Sequence, residues 1–349
     1  MARTFLIAVF SSAFCLSQLT MGGEPAAARP ATVPQVQQTV ERAIGYLQSE
    51  SGTWLKTRRC AACHHAAMPL WALSEAGGQG YTVDKKFVTD SIEGALGSRK
   101  KMMASGLVPN PDAPPDPRPM ARGVNTGAVF MAAIAGMMPS LTDGQKNSLN
   151  QIIDDIIKKQ QPDGSWEFFL SRPPINESKA SDAAWIILAL QGQVQRDPSE
   201  SHRAALERAI AWLEGPNLPD NQQMKALKLL VAIRAGRPRE ELQPAIDQLL
   251  ALQRPDGGWN QTPAPMSDAF ATGQTLYVLA LAGYTSKRPE IQNGINFLVA
   301  RQKSDGSWPM ASRATPDGRP GSAKLLTPIT CAADSWATLA LSRLVPKNP

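Results

Sequence analysis

The sequence contains few of the residues that build metal sites, disulfide frameworks or strongly charged surfaces. Its 349 residues include only four cysteines, three histidines and four tyrosines. So few thiols exclude a disulfide-rich scaffold, and so few imidazoles allow only a handful of metal-ligand sets. The net charge is +6, and basic residues cluster only at 56–59 and 99–101. These clusters are too small for a nucleic-acid-binding surface.

The chain is rich instead in apolar residues and, among its aromatic residues, in tryptophan. Hydrophobic residues make up 43% of the sequence and charged residues 19%, which is enough apolar material for a sizeable core and excludes wholesale disorder. Aromatic residues are only 6%, yet eight of them are tryptophans, and this bias indicates a repeated tryptophan motif. After residue 19 no apolar run is long enough to cross a bilayer, so we expect no transmembrane segment.

The N-terminus, residues 1–28, is predicted to be a secretory signal peptide with a flexible extension. Arg3 precedes an apolar run over residues 5–19, and small residues follow between 22 and 28. A positive start, a short apolar core and a small-residue exit are typical of such peptides. We therefore expect an exported protein, periplasmic or extracellular.

One short motif, Gln-x3-Gly-x-Trp, occurs four times, and its tryptophans are 112, 93 and 49 residues apart. The spacing of 93 is close to twice 49, which predicts a degenerate unit in between, at Ala209–Leu213. The longest interval is predicted to hold two units and the proline-rich insertion 109–119. Six units of one period indicate stacked supersecondary structures. The four copies are Gln48–Trp54, Gln160–Trp166, Gln253–Trp259 and Gln302–Trp308.

Each unit is predicted to be a pair of helices. The first is amphipathic, as in the stripe Ile152, Ile153, Ile156 and Ile157, and it ends where the motif turns the chain. The second is apolar nearly all round and belongs inside the fold, which predicts a closed double ring with the amphipathic helices outside. The predicted pairs are 36–48/64–76, 85–105/124–138, 144–161/182–192, 202–214/222–235, 240–253/268–283 and 289–302/331–344.

The repeated motif resembles the QW motif of squalene-hopene cyclases, terpene cyclases and the prenyltransferase β-subunit group. The resemblance covers the chain after the signal peptide. It implies an all-α fold, an (α/α)6 toroid of six helical hairpins, as one domain over residues 33–345. In that family the Gln and Trp side chains connect successive outer helices. The structural residues that the resemblance implies are Gln48, Trp54, Gln160, Trp166, Gln253, Trp259, Gln302 and Trp308.

The catalytic residues of that family are not recognisable here. Squalene-hopene-type cyclases protonate their substrate with an Asp-x-Asp-Asp motif, which this sequence lacks. Asp154–Asp155 is expected on the solvated flank of an outer helix. Protein prenyltransferases hold zinc with Asp, Cys and His late in the chain, where only Cys331 and Asp334 occur here. His202 opens an outer helix and is expected at the surface.

A different site is predicted at residues 60–64, where Cys60 and Cys63 precede His64. Cys-x-x-Cys-His is the attachment sequence of c-type haem. The two thiols bind the vinyl groups of the haem, and the adjacent imidazole coordinates the iron. The predicted export agrees with covalent haem, and the chain also resembles exported cyclase-like repeat proteins with a Cys-x-x-Cys-His-His segment at this place.

Three alternatives to haem remain open. Cys60 and Cys63 form a disulfide, join Cys331 and a neighbouring histidine in a zinc site, or stay unreacted thiols. The zinc alternative has a geometric argument. Cys63 lies ten residues before Leu73, and Cys331 lies ten residues before Leu341, so the two cysteines occupy equivalent positions in the first and sixth units. Those units become neighbours when the ring closes.

The haem segment is expected at the mouth of the ring, where the inner helices begin. Helix N-termini create a positive field there, which suits haem propionates or an anionic substrate. The proline-rich insertions 109–119 and 314–328 are expected to overhang this mouth. Met120 or Met310 is the candidate distal iron ligand, and His65 is assigned proton transfer or a capping role.

These features predict an exported haem protein with a toroid fold. Its expected function is redox chemistry: electron transfer to a partner protein, or oxidation of an isoprenoid or other lipid-like ligand. Two other classes stay open, because fold alone does not choose among functions. One is an isoprenoid cyclase or isomerase with an unidentified acid, and the other is a non-catalytic binding module. Whether the protein is an enzyme is left open, and no nucleic-acid partner is expected.

Overall fold

We analysed a computed structural model of the protein, which describes residues 30–58, 63–104, 107–108, 123–138, 141–168, 173–216, 218–263, 266–313 and 329–347. These residues form α-helices and a 3-10 turn, and no β-strand occurs among them. The elements are α1 (Val33–Arg58), the turn Cys63–His65, α2 (Ala67–Gly78), α3 (Lys85–Leu96), α4 (Arg99–Ala104), α5 (Thr126–Gly136), α6 (Asp143–Lys158), α7 (Lys179–Arg196), α8 (Glu200–Leu213), α9 (Gln222–Arg234), α10 (Arg239–Ala251), α11 (Ala269–Leu281), α12 (Pro289–Arg301) and α13 (Thr330–Leu344).

The helices pair into six hairpins that close into a ring. The inner helices α2, α5, α7, α9, α11 and α13 each contact the next one, and α13 contacts α2. The outer helix α1 contacts α12 and α13, so the first hairpin adjoins the last. The predicted all-α (α/α)6 toroid is confirmed.

Burial explains why the two kinds of helix occupy different layers. In α7 every residue from Ala180 to Gln193 is buried, and α5 is buried from Gly127 to Ala135. The outer helix α6 instead buries one stripe that includes Leu149, Ile152 and Ile156. A helix that is apolar all round gains most from the central position, whereas an amphipathic helix keeps its polar face in water.

Three of the QW turns connect an outer helix to the next outer helix. In each, the glutamine Nε2 donates both to the glycine carbonyl of its own turn and to a backbone carbonyl of the following outer helix. The tryptophan Nε1 donates back to the last turn of the preceding helix. The inter-helix bonds run from Gln160 to Ala205 O (3.0 Å), from Gln253 to Glu290 O (2.7 Å) and from Gln302 to Thr39 O (2.9 Å); the tryptophan bonds run from Trp166 to Ile156 O (2.7 Å), from Trp259 to Leu249 O (2.7 Å) and from Trp308 to Leu298 O (2.9 Å).

The first copy of the motif does not form such a turn, so the predicted end of the first helix at residue 48 was wrong. Helix α1 runs through Gln48 and Trp54 to Arg58. In the other copies the aspartate before the glycine accepts a backbone N–H two residues further on and so stabilises the turn. Ser51 holds that position here, and the helix continues. The predicted helix 85–105 is likewise divided, at Gly97–Ser98.

Candidate functional site

The turn Cys63–His65 lies where the first and last hairpins meet. It contacts α1, α2, α5 and α13, and the His64 side chain is only 1% exposed. Cys331, near the start of α13, is also buried. The ring closure therefore brings the cysteine-histidine segment and the helix of Cys331 together, as their equivalent positions in the repeat predicted. Cys60 lies outside the described residues.

A stack of rings holds this turn against the end of α1. The His65 imidazole stacks on the Trp54 indole, with ring centroids 4.0 Å apart and planes 7° from parallel. The His64 and His65 rings are 4.1 Å apart and tilted by 47°, and the Arg58 guanidinium lies 5.9 Å from the Trp54 ring centroid. Trp54 thus contacts the predicted haem segment, in contrast to Trp166, Trp259 and Trp308.

Of the two candidate distal iron ligands, Met120 and Met310, the structure describes only Met310. Met120 and both proline-rich insertions, 109–119 and 314–328, lie outside the described residues. Met310 is partly buried beside the start of α13, where its backbone N–H donates to Thr330 Oγ1 over 3.2 Å. Within the described ranges, no group of three or more His, Cys, Asp or Glu side chains could hold a metal ion.

The middle of the ring is filled by aromatic side chains that the sequence did not single out. Six rings, supplied by five of the inner helices, contact one another with centroids 4.6 to 6.2 Å apart, and each residue is at most 3% exposed. They form a continuous aromatic cluster across the axis. Its members are Trp71 of α2, Phe130 of α5, Trp185 of α7, Phe270 and Tyr277 of α11, and Trp336 of α13.

Several buried polar side-chain atoms on the inner helices have no hydrogen-bond partner among the described residues. They include the indole N–H groups of Trp185 and Trp336, whose rings belong to the aromatic cluster. Unsatisfied buried polar atoms are rare in folded proteins and mark places where water or a ligand completes the bonding. The other such side-chain atoms on the inner helices are Asp182 Oδ1, Gln191 Oε1, Gln222 Oε1, Gln223 Oε1, Gln274 Nε2, Asp334 Oδ2 and Thr338 Oγ1.

Asp182 is the acid that this arrangement leaves least satisfied. It lies in the first turn of α7 and is 3% exposed, and burial raises the pKa of its carboxyl well above the usual range. None of the described residues donates a hydrogen bond to Asp182 Oδ1 that would offset this burial, so the neutral form of the carboxyl is favoured. Trp185 follows three residues later on the same face, about 4.5 Å further along the helix axis. A buried acid with a raised pKa thus lies one helical turn from the aromatic cluster.

Two other buried acids are tied into the framework. Asp334 Oδ1 accepts the Trp308 backbone N–H over 2.8 Å, and burial raises the pKa of this carboxyl well above its usual range despite that bond. Asp268 caps α11 by accepting the Ala271 N–H over 2.8 Å. Burial raises the pKa of Asp268 to about 6, against the opposing effect of its hydrogen bonds. Both acids have structural bonds that Asp182 lacks.

The outer acids and His202 do not contribute to the core. Asp154 is exposed, and Asp155 pairs with Lys159 Nζ at 2.9 Å, as expected for a solvated flank. The prediction that His202 is a surface residue was wrong. Its ring is buried at the start of α8, with Nδ1 3.1 Å from Asp197 O. The sequence could have singled out Asp182, because it is the only charged residue within the apolar stretch 180–195.

Comparison with known proteins agrees with the fold. No family model matches the chain. Drimenyl diphosphate synthase from Streptomyces showdoensis is 26% identical over 185 residues, which is 48% of this chain and 34% of that protein. The match thus spans about a third of the length of that relative.

None of the helices that the structure describes has both the length and the apolar character needed to span a bilayer.

Solved structures show the same architecture at low sequence identity. The ent-copalyl diphosphate synthase from Streptomyces platensis is 18% identical with a TM-score of 0.50, covering 80% of this chain and 50% of that one. A type II terpene cyclase from Scytonema, in complex with geranylgeranyl dihydroxybenzoate, is 15% identical with a TM-score of 0.50, covering 90% and 98%. A possible member of the GH105 family from Klebsiella pneumoniae is 13% identical with a TM-score of 0.60, covering 97% and 99%. The chain therefore has the terpene cyclase-type (α/α) toroid fold, which enzymes of other chemistry share.

Proposed function

We propose that the protein is an acid-initiated isomerase or cyclase of an isoprenoid-like substrate, with Asp182 as the proton donor. The observation that carries this proposal is a buried carboxyl whose Oδ1 has no hydrogen-bond partner among the described residues, one helical turn from Trp185 of the aromatic cluster. A raised pKa favours the protonated form of this carboxyl, which general acid catalysis requires.

The residues around Asp182 suit such a reaction. Transfer of the carboxyl proton to an alkene carbon leaves a carbocation on the substrate and a carboxylate on Asp182. The faces of Trp and Tyr rings attract cations, and the dry surroundings of the cluster protect a cation from water. Loss of a proton from the rearranged cation back to Asp182 restores the acid, so the reaction needs no oxidant, reductant or metal.

The comparisons support the substrate class only by likeness of fold. The Scytonema cyclase is described as binding a geranylgeranyl compound, and the two Streptomyces proteins are described as a drimenyl diphosphate synthase and an ent-copalyl diphosphate synthase. A ligand of this kind is long and apolar and matches the aromatic cluster better than a carbohydrate does. One amide atom of each of three glutamines, Gln222 Oε1, Gln223 Oε1 and Gln274 Nε2, has no partner among the described residues and supplies a polar contact for a head group.

The test is incubation of the protein with geranylgeranyl compounds, followed by mass spectrometry of the products. An isomer of unchanged mass is expected, and Asp182→Asn is expected to reduce its formation at least 100-fold, as for loss of a general acid. Asp154→Asn, which changes an exposed carboxyl of α6, is the matched control and should retain the activity. If the Asp182→Asn variant is as active as the native protein, Asp182 is not the proton donor.

The Cys-x-x-Cys-His segment favours a second candidate, a covalent c-type haem held by Cys60, Cys63 and His64. The donor set fits, because two thiols and an adjacent imidazole are what haem attachment needs. A bound haem would supply electron transfer or oxidation chemistry. The His64 ring is 1% exposed and in contact with His65, so iron reaches it only if the turn Cys63–His65 opens. The neighbouring His65 ring stacks on Trp54.

The haem candidate is tested separately from the cyclase. The protein is produced in a host with haem-attachment machinery, and its absorption spectrum and haem-stained denaturing gel are recorded. A covalent signal that disappears in the Cys60→Ala/Cys63→Ala variant would support haem. A colourless protein would exclude it, and metal analysis would then test the zinc alternative. Loss of activity in Asp182→Asn with haem retained would show that the two functions are independent.

A further inference from the structure

The tryptophan indole of a QW turn packs into a slot, and one wall of that slot is a surface of the next outer helix, which we call the receiving surface. Trp259 shows this most clearly. A Cβ atom built on Gly294 of α12 would lie 2.9 Å from Cζ3 of the Trp259 ring. The slot therefore admits the ring only because residue 294 is small. Its other walls are the last turn of α10, where Leu249 O accepts the indole N–H, and Leu276 of α11.

The receiving helices share one sequence pattern. The glutamine of each turn donates to a carbonyl that lies four residues before a small residue, and an isoleucine follows the small residue directly. In α12 the small residue of this pattern, Gly294, is the one that faces the Trp259 ring. The three receiving segments are Thr39 with Ala43 and Ile44, Ala205 with Ala209 and Ile210, and Glu290 with Gly294 and Ile295.

Helix α10 carries the same receiving pattern, but no tryptophan reaches it. Glu241 is followed four residues later by Ala245 and then by Ile246. Ala245 lies eight residues before the glutamine of its own unit, as Gly294 does in the next unit. The preceding unit, however, ends after Leu213 without the Gln-x3-Gly-x-Trp sequence. All eight tryptophans of the chain lie within the described residues, and none of them lines this position.

A groove of about 250 Å³ lies where the missing indole would be. Its apolar walls come from α8, α9 and α10, and its rim carries two acidic and two basic residues, of which Arg237 and Glu241 pair at 3.2 Å. Ala245 is partly exposed, whereas its counterparts Ala43 and Ala209 are fully buried. The walls include Ile210, Leu213, Leu229, Ala232, Leu242 and Ala245.

We infer that this groove between α8 and α10 is a binding site for a small, neutral, bicyclic aromatic molecule of the size of indole. Three equivalent slots in the same fold hold an indole ring, which defines the shape and chemistry that this surface fits. An apolar cavity of about 150 Å³ binds benzene, so the larger groove has room for a second fused ring. The rim carries equal numbers of acidic and basic residues, which favours a neutral ligand. No tryptophan of this chain fills the groove.

The test uses 5-fluoroindole as the probe and 19F NMR as the measurement on the full chain. Saturable binding is expected in the native protein. Ala245→Phe fills the groove from α10 and is expected to weaken binding at least tenfold. Ala251→Phe makes the same change at an exposed position of the same helix and should bind as the native protein does. Ala232→Phe fills the groove from α9 and replaces the first variant if that one fails to fold.

Two outcomes would overturn the proposal. The probe does not use this groove if the native protein shows no saturable binding. The same conclusion follows if both groove-filling variants bind the probe as tightly as the native protein does. A dimer that dissociates in Ala245→Phe but not in Ala251→Phe would show that a second copy of the chain occupies it instead. Sedimentation at matched concentrations distinguishes the second outcome. None of these results depends on Asp182 or on the cysteine-histidine segment.

Discussion

The imidazole of His65 lies parallel to the indole of Trp54, with a centroid separation of 4.0 Å. The stack joins the 3-10 turn that begins at the second motif cysteine, Cys63, to the last turns of α1. It is possible only because α1 continues past Ser51 to Arg58. The tryptophan of the first QW copy therefore supports the turn Cys63–His65.

Trp54→Ala is expected to destabilise the protein, because it removes this stack and the contact with Arg58. Aromatic pairs contribute about 0.5–1.5 kcal/mol beyond their buried area, so we expect a loss of at least about 1 kcal/mol in the free energy of unfolding, measured in urea. Trp54→Phe keeps a ring opposite His65 and should lose less. Equal losses in the two variants would show that the stack contributes nothing.

Gly306→Ala is expected to disrupt ring closure. Gly306 has φ of +92°, and a Cβ atom there would lie 2.3 Å from Arg42 O of α1. Both strain and collision oppose an alanine, so we expect a loss of more than about 2 kcal/mol in thermal unfolding. Gly45→Ala is the control. That helical glycine of α1 has no atom within 4 Å of an added Cβ, and its replacement should stabilise the protein by about 0.5–1 kcal/mol.

Asp182→Val is expected to stabilise the protein at pH 7, because it removes a buried acid whose Oδ1 has no hydrogen-bond partner within the described residues. Leaving such a group unsatisfied costs about 1–3 kcal/mol. Asp334→Val should destabilise the protein, because it leaves the Trp308 backbone N–H, which donates to Asp334 Oδ1, without an acceptor. Urea unfolding of both variants gives the comparison. Destabilisation by Asp182→Val would indicate a structural partner for this acid and weaken its assignment as proton donor.

Asp268 predicts a specific dependence of stability on pH. Its pKa is about 6 in the folded protein and about 3.9 in an unfolded chain. The folded state therefore binds the proton more tightly, and the stabilisation present below pH 4 is lost as the pH rises through 6. The loss approaches roughly 3 kcal/mol.

Asp268→Asn should flatten this dependence. The difference in unfolding free energy between the native protein and the variant, measured from pH 4 to 7, isolates Asp268 because all other carboxyl groups are common to both. Asparagine retains an oxygen that can cap α11 through Ala271 N–H. A difference that does not change between pH 4 and 6 would contradict the raised pKa.

The sequence by itself determined the repeat, the two kinds of helix and their order, since these follow from local periodicity. A stripe of isoleucines makes α6 amphipathic whatever its neighbours are. Helix α7 is apolar on nearly all sides and therefore packs in the inner layer. The aspartate and glycine of each QW turn also act locally, which is why Ser51, at the aspartate position, changed the outcome for α1. The motif Cys60-x-x-Cys63-His64 is equally visible in the sequence, and its haem stays a prediction.

Only the tertiary structure decided which polar groups are satisfied. Asp182 and Asp334 lie near the starts of equivalent inner helices, yet one has a backbone donor from a distant turn and the other has none at Oδ1. The aromatic cluster likewise assembles residues from five helices, and the groove on α10 exists because a neighbouring unit lacks its tryptophan. Hydrogen-bond satisfaction, burial and vacant volume depend on atoms far apart in the chain, so local patterns do not contain them.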